Sequence, residues 1–310
     1  MEMEELQMGI WSILYYEKGL SQQEIANRFG ISKMTVSRML QKAKDVGIVE
    51  IRIHKPFASN ISLEGVLEKR FRLRRAHVVV KGREEEDVVS LLGKFWAFQM
   101  NLNIKKSFVL GVGVGKTIAE VVRYLFPMKV ENVEIVQLLG GLADVTRENP
   151  FSIVQELCEK LGARGTYLAS LATVENKEWR DHLLYETMNG KALYSQWSRC
   201  HQALFGVGSI EGGTLLGSHL VREEELKEIG EKGGVGDILG HVFDEAGHFI
   251  HTSLEERLVS IPIEMLFTVQ ERVAIGGGTF KVRALKGLLR TGIVTTLVTD
   301  EITARQILEE

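Results

Sequence analysis

Seven short apolar runs, separated by stretches of helical periodicity, restrict this 310-residue chain more than any other feature. They are AHVVV (76–80), SFVLGVG (107–113), VEIVQLLGG (133–141), GTYLA (165–169), QALFGVG (202–208), RVAIGGG (272–278) and VTTLVTD (294–300). Continuous apolarity in so short a run means burial on both faces. Helical patterns fall between most of them, near 86–102, 115–125, 151–161, 176–190, 222–230 and 280–291. This alternation predicts a mostly parallel α/β sheet. Several runs end in glycine, and in an open α/β sheet ligands sit beyond the carboxyl ends of the strands, where backbone must approach them closely. A 45% apolar and 25% charged composition fits an ordinary soluble protein, and no apolar run reaches the ~18 residues of a membrane span. The start, MEMEELQMGI, lacks the basic-then-apolar build of a signal peptide. The two cysteines, Cys158 and Cys200, form no close-spaced pair, so free thiols in a reducing cytoplasm are expected rather than a disulfide or zinc framework. The histidines of HVFDEAGHFIH (His241, His248, His251) read as flanking a hairpin turn rather than as metal ligands. Neither a metal nor a cofactor is expected.

The net charge of −3 is unevenly distributed. Between Arg28 and Lys55 the basic residues are Arg28, Lys33, Arg38, Lys42, Lys44, Arg52 and Lys55, against only Asp45 and Glu50. Charge acts through its distribution, so a basic module on an acidic body is a reading the total does not oppose. Residues 5–18 are helical in pattern, with Leu6, Ile10, Ile13 and Leu14 on one face. Ser21 followed three residues later by Glu24 is a capping box. The helix it starts turns Ile25, Ala26 and Phe29 inward, and Gly30 supplies a tight turn. Ser32 then caps a second helix with the apolar stripe Val36, Met39, Leu40 and Ala43, and Gly47 closes it. Two helices joined this way form a helix-turn-helix. Opposite the stripe stand Lys33, Met34, Ser37, Arg38 and Gln41, with Thr35 at the border: donors and a guanidinium fork that can reach base edges and phosphates in a major groove. Ser21, Gln22, Ser32 and Lys42 complete the expected DNA-binding set. VEIRIHKP (49–56) alternates like a strand and reads as a wing carrying Arg52 or Lys55.

The stretch VLGVGVGKT (109–117) imitates a nucleotide loop, yet its spacing fits neither of the common ones. A phosphate-wrapping loop of the form G-x-x-x-x-G-K-[ST] needs glycine at position 110, which is Leu110. A dinucleotide fingerprint starting at Gly111 needs glycine at 116, which is Lys116. What remains is a strand, a glycine-rich turn and a helix start, whose free N–H groups and positive dipole end suit a modest anion. AIGGGTFKVRAL (274–285) has the same build, with Lys281 and Arg283 near its helix start. A cation there adds a point charge to backbone donors, as suits a phosphate. Gln137 and Asp237 are candidates for sugar hydroxyls.

Taken together, SQQEIANRFGISKMTVSRMLQKAKDVGIVEIRI, GVGVGKT, VEIVQLLGG, GVGDILGHVFDEAG and AIGGGTFKVRALKGLL…VTTLVTDEITARQIL resemble, in this order, the SorC (DeoR-like) family of bacterial transcriptional regulators. The likeness runs over nearly the whole chain. It implies a helix-turn-helix domain over 1–56 and, over 57–310, an effector and oligomerisation domain with the fold of sugar-phosphate isomerases and CoA transferases. It further implies a homo-tetramer, operator DNA as partner, and a sugar, polyol or sugar phosphate as effector. Carried onto this chain, the anion-binding elements are Gly113, Val114, Gly115, Lys116 and Thr117, with Gly277, Gly278 and Lys281; Gln137, Gly140, Gly141 and Asp237 line the sugar. Some relatives carry a reactive lysine before the glycine pair. Leu139 stands there in this chain, which removes a covalent imine at that position. The expected protein is a regulator and not an enzyme, the competing reading being a sugar-phosphate isomerase with an accessory N-terminal domain; no acid–base pair at a diagnostic spacing supports that one.

Overall fold

In the computed structural model, residues 3–51, 57–82, 85–144, 146–210 and 212–309 are described. The chain separates into two units, Met1–Pro56 and Phe57–Glu310.

Local capping chemistry sets the smaller unit. Helix α1 (Met3–Ser12) runs into a π-turn over Ile13–Glu17. Helix α2 (Gln22–Phe29) starts on the Ser21 box: Glu24 N–H donates to Ser21 Oγ at 3.2 Å, and Ser21 N–H to Glu24 Oε2 at 2.8 Å. These bonds hold Glu24 below the usual carboxylate range. Gly30 takes the left-handed conformation (φ 66°) that ends α2. Helix α3 (Lys33–Asp45) starts on Ser32, whose Oγ accepts from Thr35 N–H at 3.0 Å. Caps of this kind contribute about 1 kcal/mol each. Ile25, Ala26, Val36, Met39, Leu40 and Ala43 pack with Met8 and Trp11 into one small core. The inward face of α1 therefore differs from the expected one. Leu6, Ile10 and Ile13 stay exposed, because Trp11 lies against the Phe29 ring (centroids 5.7 Å apart) and rotates Met8 inward with it. Val49–Ile51 form no strand, and Arg52 and Lys55 of the expected wing lie outside the described residues.

The larger unit contains β1 (Ala58–Ser59), β2 (Arg75–Val80), β3 (Val109–Val112), β4 (Glu134–Gln137), β5 (Arg164–Thr166), β6 (Gln202–Gly206), β7 (Gly208–Ser209), β8 (Gly234–Ile238), β9 (His241–Asp244), β10 (Glu271–Ile275) and β11 (Thr296–Asp300). Eight of them make one sheet in the order β1-β2-β11-β10-β6-β3-β4-β5, and every neighbouring pair is parallel except β1–β2. All seven apolar runs thus lie in one sheet, as their pattern implies. Alternate residues serve the two faces. Leu110, Val112, Ile135, Leu204, Val273, Ile275 and Val298 pack under the helices Val88–Asn103, Lys116–Tyr124 and Pro150–Leu161. Val109, Val136, Ala203, Phe205, Ala274 and Leu297 join the opposite core.

Strands β7, β8 and β9 form a second, antiparallel sheet. Its central strand comes from GGVGDILG, in which Gly233 and Gly240 sit in turns at either end while Gly236 is a close pairing site: a Cβ there would fall 2.5 Å from the Gly208 carbonyl oxygen.

A buried ion pair ties three segments of the larger unit together. Arg257 Nε donates to Glu225 Oε1 at 2.6 Å, while its Nη atoms donate to Glu225 Oε2 and to the carbonyls of Val174 and Leu220. Both side chains are under 10% exposed. Burial pushes the Glu225 carboxyl up, but the Arg257 and Arg222 donors outweigh it and leave the group below its ordinary range. Among the described residues no helix is long and apolar enough to cross a membrane.

Candidate functional site

Past the carboxyl ends of β3 and β6 opens a recess of about 110 Å³. Residues 114–117, 206–208 and 212–215 line it, with Val89, Asp237, Leu239, Phe280 and Lys281. Each wall follows from a local rule. The helix Lys116–Tyr124 is capped by Gly115 at φ 119°, a conformation side-chain-bearing residues rarely adopt, and no side chain caps it. Among the described residues no side chain takes its first-turn N–H groups, and the positive end of its dipole faces the recess. Lys281 ends the short 3₁₀ turn Thr279–Lys281 that follows β10. Burial lowers its pKa, the Asp237 charge opposes that, and Lys116 adds to the lowering. Two cations and an open helix start therefore share one small space.

Asp237, on β8, is the buried counter-charge. Burial pushes its carboxyl up to about 6, against the opposing pull of the Gly240 N–H at 3.1 Å and of His241 and Lys281. Glycine at 208 is required by this geometry, since a Cβ there would lie 1.9 Å from Asp237 Oδ1. The recess thus offers donors and positive charge at one wall and a carboxylate acceptor at another. That combination suits a ligand with an anionic group and hydroxyls.

Of the residues singled out in the sequence, Val114, Gly115, Lys116, Thr117, Asp237 and Lys281 line this recess. Gly113 lies beside it: its N–H donates to the Leu204 carbonyl, and a Cβ would strike Leu239. Gln137, Gly140, Gly141, Gly277 and Gly278 are not part of the lining. Gln137 is buried, with Oε1 accepting from Leu168 N–H at 3.0 Å. Gly140 and Gly141 admit the Leu171–Ala172 backbone and the Phe151 ring, respectively. The Gly278 N–H already donates to Asp300 Oδ2 and Thr303 Oγ1, so it is closed to a phosphate. Sequence reading missed Thr214, Leu239, Phe280 and the glycines at 206, 208, 212 and 213. The cluster IEGGTLLGS was the available signal for the loop.

In the smaller unit, Lys33, Met34, Ser37 and Arg38 stand exposed on α3, Met34 at 80%. Thr35 is half-buried, its hydroxyl 2.8 Å from that of Ser32. Ser21 and Ser32 hold helix starts, and Gln22 is half-buried at the first turn of α2. Lys42 pairs with Glu4 at 2.6 Å, and Lys44 lies over the Tyr16 ring. Among the described residues, Lys33 and Arg38 are the cations of α3 that form neither contact.

The three histidines are held by protein groups. His241 Nε2 meets the Ile261 carbonyl at 2.8 Å, His241 and His251 share Glu255 through their Nδ1 atoms, and His248 meets Asp244. The described residues contain no group of three or more histidine, cysteine, aspartate or glutamate side chains placed to hold a metal. Both cysteines are free thiols, with burial pushing Cys158 up to about 11 and Cys200 to about 12.

Residues 55–309 match the Sugar-bind family, a sugar-binding domain, and residues 13–45 match region 4 of sigma-70 factors. The deoxyribonucleoside regulator of Bacillus subtilis (strain 168) is 29% identical over the whole of both chains. The erythritol catabolism regulatory protein EryD of Brucella abortus (strain 2308) is 28% identical over 95% of this chain and 94% of that one. Among solved structures, the full-length sorbitol operon regulator SorC of Klebsiella pneumoniae superposes with a TM-score of 0.75 at 25% identity, covering 98% of each chain. A helix-turn-helix joined to a parallel α/β domain of this kind defines a DNA-binding transcriptional regulator that responds to sugars. The chain belongs to the Sugar-bind family and, within it, to the SorC-type, DeoR-like regulators.

Proposed function

We propose that the recess past β3 and β6 is the effector site, that the effector is a phosphorylated sugar or polyol, and that its binding releases the protein from operator DNA. One observation carries this reading: an uncapped helix start, Lys116 and Lys281 converge on the same small space that the buried Asp237 carboxyl enters. Phosphate takes the helix start and the lysines; Asp237 accepts from sugar hydroxyls. The site binds and does not turn over its ligand, and the protein acts in the cytoplasm as a homo-tetramer, an assembly the family likeness supports. Linkage requires the effector to favour the DNA-free state by its differential affinity.

A thermal-shift series with sugars, polyols and their phosphates tests the site, since a ligand of the native state raises stability as RT ln(1 + [L]/Kd). The Lys281→Ala variant is expected to bind a phosphorylated ligand about 10- to 100-fold more weakly, as charge-assisted hydrogen bonds of ~1.5–3 kcal/mol imply. An undiminished shift in that variant would remove the phosphate from this pocket.

The DNA-binding face makes a separate prediction. Operator affinity should fall linearly in log–log form with salt, with a slope of about −0.9 per neutralised phosphate. Arg38→Ala should cost ~1–3 kcal/mol of sequence discrimination, read as loss of the difference between operator and scrambled DNA in a gel-shift titration. Equal losses on both DNAs would place Arg38 on phosphate instead.

A further inference from the structure

A second cavity of the α/β unit, larger than the effector recess, shares none of its residues. It lies at the opposite, amino-terminal ends of the strands, with a volume of about 360 Å³. Arg75 and Thr296 open β2 and β11, Gln202 and Glu271 open β6 and β10, and all four residues line it. Its size falls in the ~300–1,000 Å³ range of small-molecule sites.

Charge and ring chemistry in this cavity are both unbalanced. Arg74, Arg75 and Lys105 contribute three cations, and among the described residues none of their side chains forms an ion pair or hydrogen bond. The one carboxylate in the lining, Glu271, is already engaged: Oε2 accepts from Gln202 Nε2 at 2.8 Å and Oε1 from Thr296 Oγ1 at 3.4 Å. The cations consequently face the cavity with net positive charge. Beside them stand the rings of His77 and Trp96, in tilted contact at 6.1 Å, and the Phe108–His201 pair, stacked at 5.4 Å with an interplanar angle of 22°. His201 Nδ1 accepts the Val109 N–H at 3.0 Å, which fixes the orientation of its ring. His77 is neutral: burial, helped by Arg75, lowers its pKa to about 4. Trp96 is buried, and its indole Nε1–H has no hydrogen-bond partner among the described residues. Four side-chain amides, Gln99, Asn103, Gln202 and Gln270, complete the polar lining. Asn103 Nδ2 donates to Gln99 Oε1 at 3.2 Å and Gln202 Nε2 to Glu271, while the Gln270 amide has no such bond among the described residues and offers a donor and an acceptor on one planar group, the complement of a heterocycle edge.

We propose that this cavity is a second ligand site, separate from the effector recess, and that it takes a nucleoside phosphate: base against the rings and amides, phosphate against Arg74, Arg75 and Lys105. The proposal stands independently of the effector assignment, because the two sites share no lining residue. Arginine pairs bind phosphate bidentately, and stacking on neutral rings adds sequence-tolerant affinity for any base.

The test uses the full-length protein and four probes in calorimetric titration: AMP, adenosine, ribose 5-phosphate and inorganic pyrophosphate. AMP is expected to bind the wild type and the Lys281→Ala variant equally. The exposed-site double variant Arg74→Ala/Arg75→Ala is expected to bind AMP at least about tenfold more weakly, with an unchanged circular dichroism spectrum. Lys105→Ala, an independent surface substitution, should weaken AMP in the same direction. Adenosine and pyrophosphate should each bind more weakly than AMP. Absence of AMP binding at millimolar concentration overturns the proposal, as does AMP binding that survives the double arginine variant or is lost in Lys281→Ala. In the Lys281→Ala variant, where the effector recess is weakened, pyrophosphate or ribose 5-phosphate binding as tightly as AMP overturns the assignment of the rings to a base.

Discussion

Replacing Arg257 by alanine is expected to lower the unfolding free energy of the α/β unit by about 3–5 kcal/mol, the cost of stranding a buried charge. The substitution leaves Glu225 without its bidentate partner and frees the carbonyls of Val174 and Leu220. Urea unfolding followed by far-ultraviolet circular dichroism measures it. The double variant Arg257→Met/Glu225→Leu should recover much of the loss, because apolar residues of similar volume need no counter-charge. A loss below about 1 kcal/mol in the single variant would mean that water reaches the pair.

Asp237 should make the protein's stability depend on pH with a sign opposite to that of most carboxylates. Its folded pKa, about 6, lies above the ordinary 3.8. Between those values the folded state holds a proton that the unfolded state has released. The stabilisation is complete below about pH 4 and disappears as pH rises through about 6. Two pKa units correspond to ~3 kcal/mol. The comparison with Asp237→Asn isolates it: the wild type should lose about that much stability relative to the variant between pH 4 and pH 7. Parallel pH profiles for the two proteins would refute the assignment. Above pH 6 the ionised carboxylate is an acceptor only, the form proposed to hold a sugar hydroxyl.

The fold was legible where periodicity and capping agree. The seven apolar runs occupy one sheet, and Ser21, Gly30 and Ser32 hold the positions that their chemistry requires. Two things were not legible. The inward face of α1 depends on where the Trp11 ring finds Phe29, a contact between residues eighteen apart that no helical wheel contains. The second is what a glycine admits. Gly115 opens a helix start to the recess, whereas Gly140 and Gly141 at the end of a similar run admit neighbouring protein groups. Glycine signals close approach without naming the approaching atom. For the same reason the antiparallel sheet β7-β8-β9, which supplies Asp237, was hidden in segments that look like turns.

Strand β6 belongs to both ends of the molecule's chemistry. Gln202 begins it in the cationic cavity, and Gly206 ends it at the recess, four steps or roughly 13 Å further on. It is clamped on both sides, by β3 over Gln202–Leu204 and by β10 over its whole length. A slip of one residue would turn Ala203 and Phe205 out of one core and Leu204 out of the other, so the strand has one register and no second resting place. The sheet is then an anvil rather than a lever. The connections that border the recess, residues 212–217 and 276–281, lie outside the strands, and they are where a signal of occupancy would have to begin.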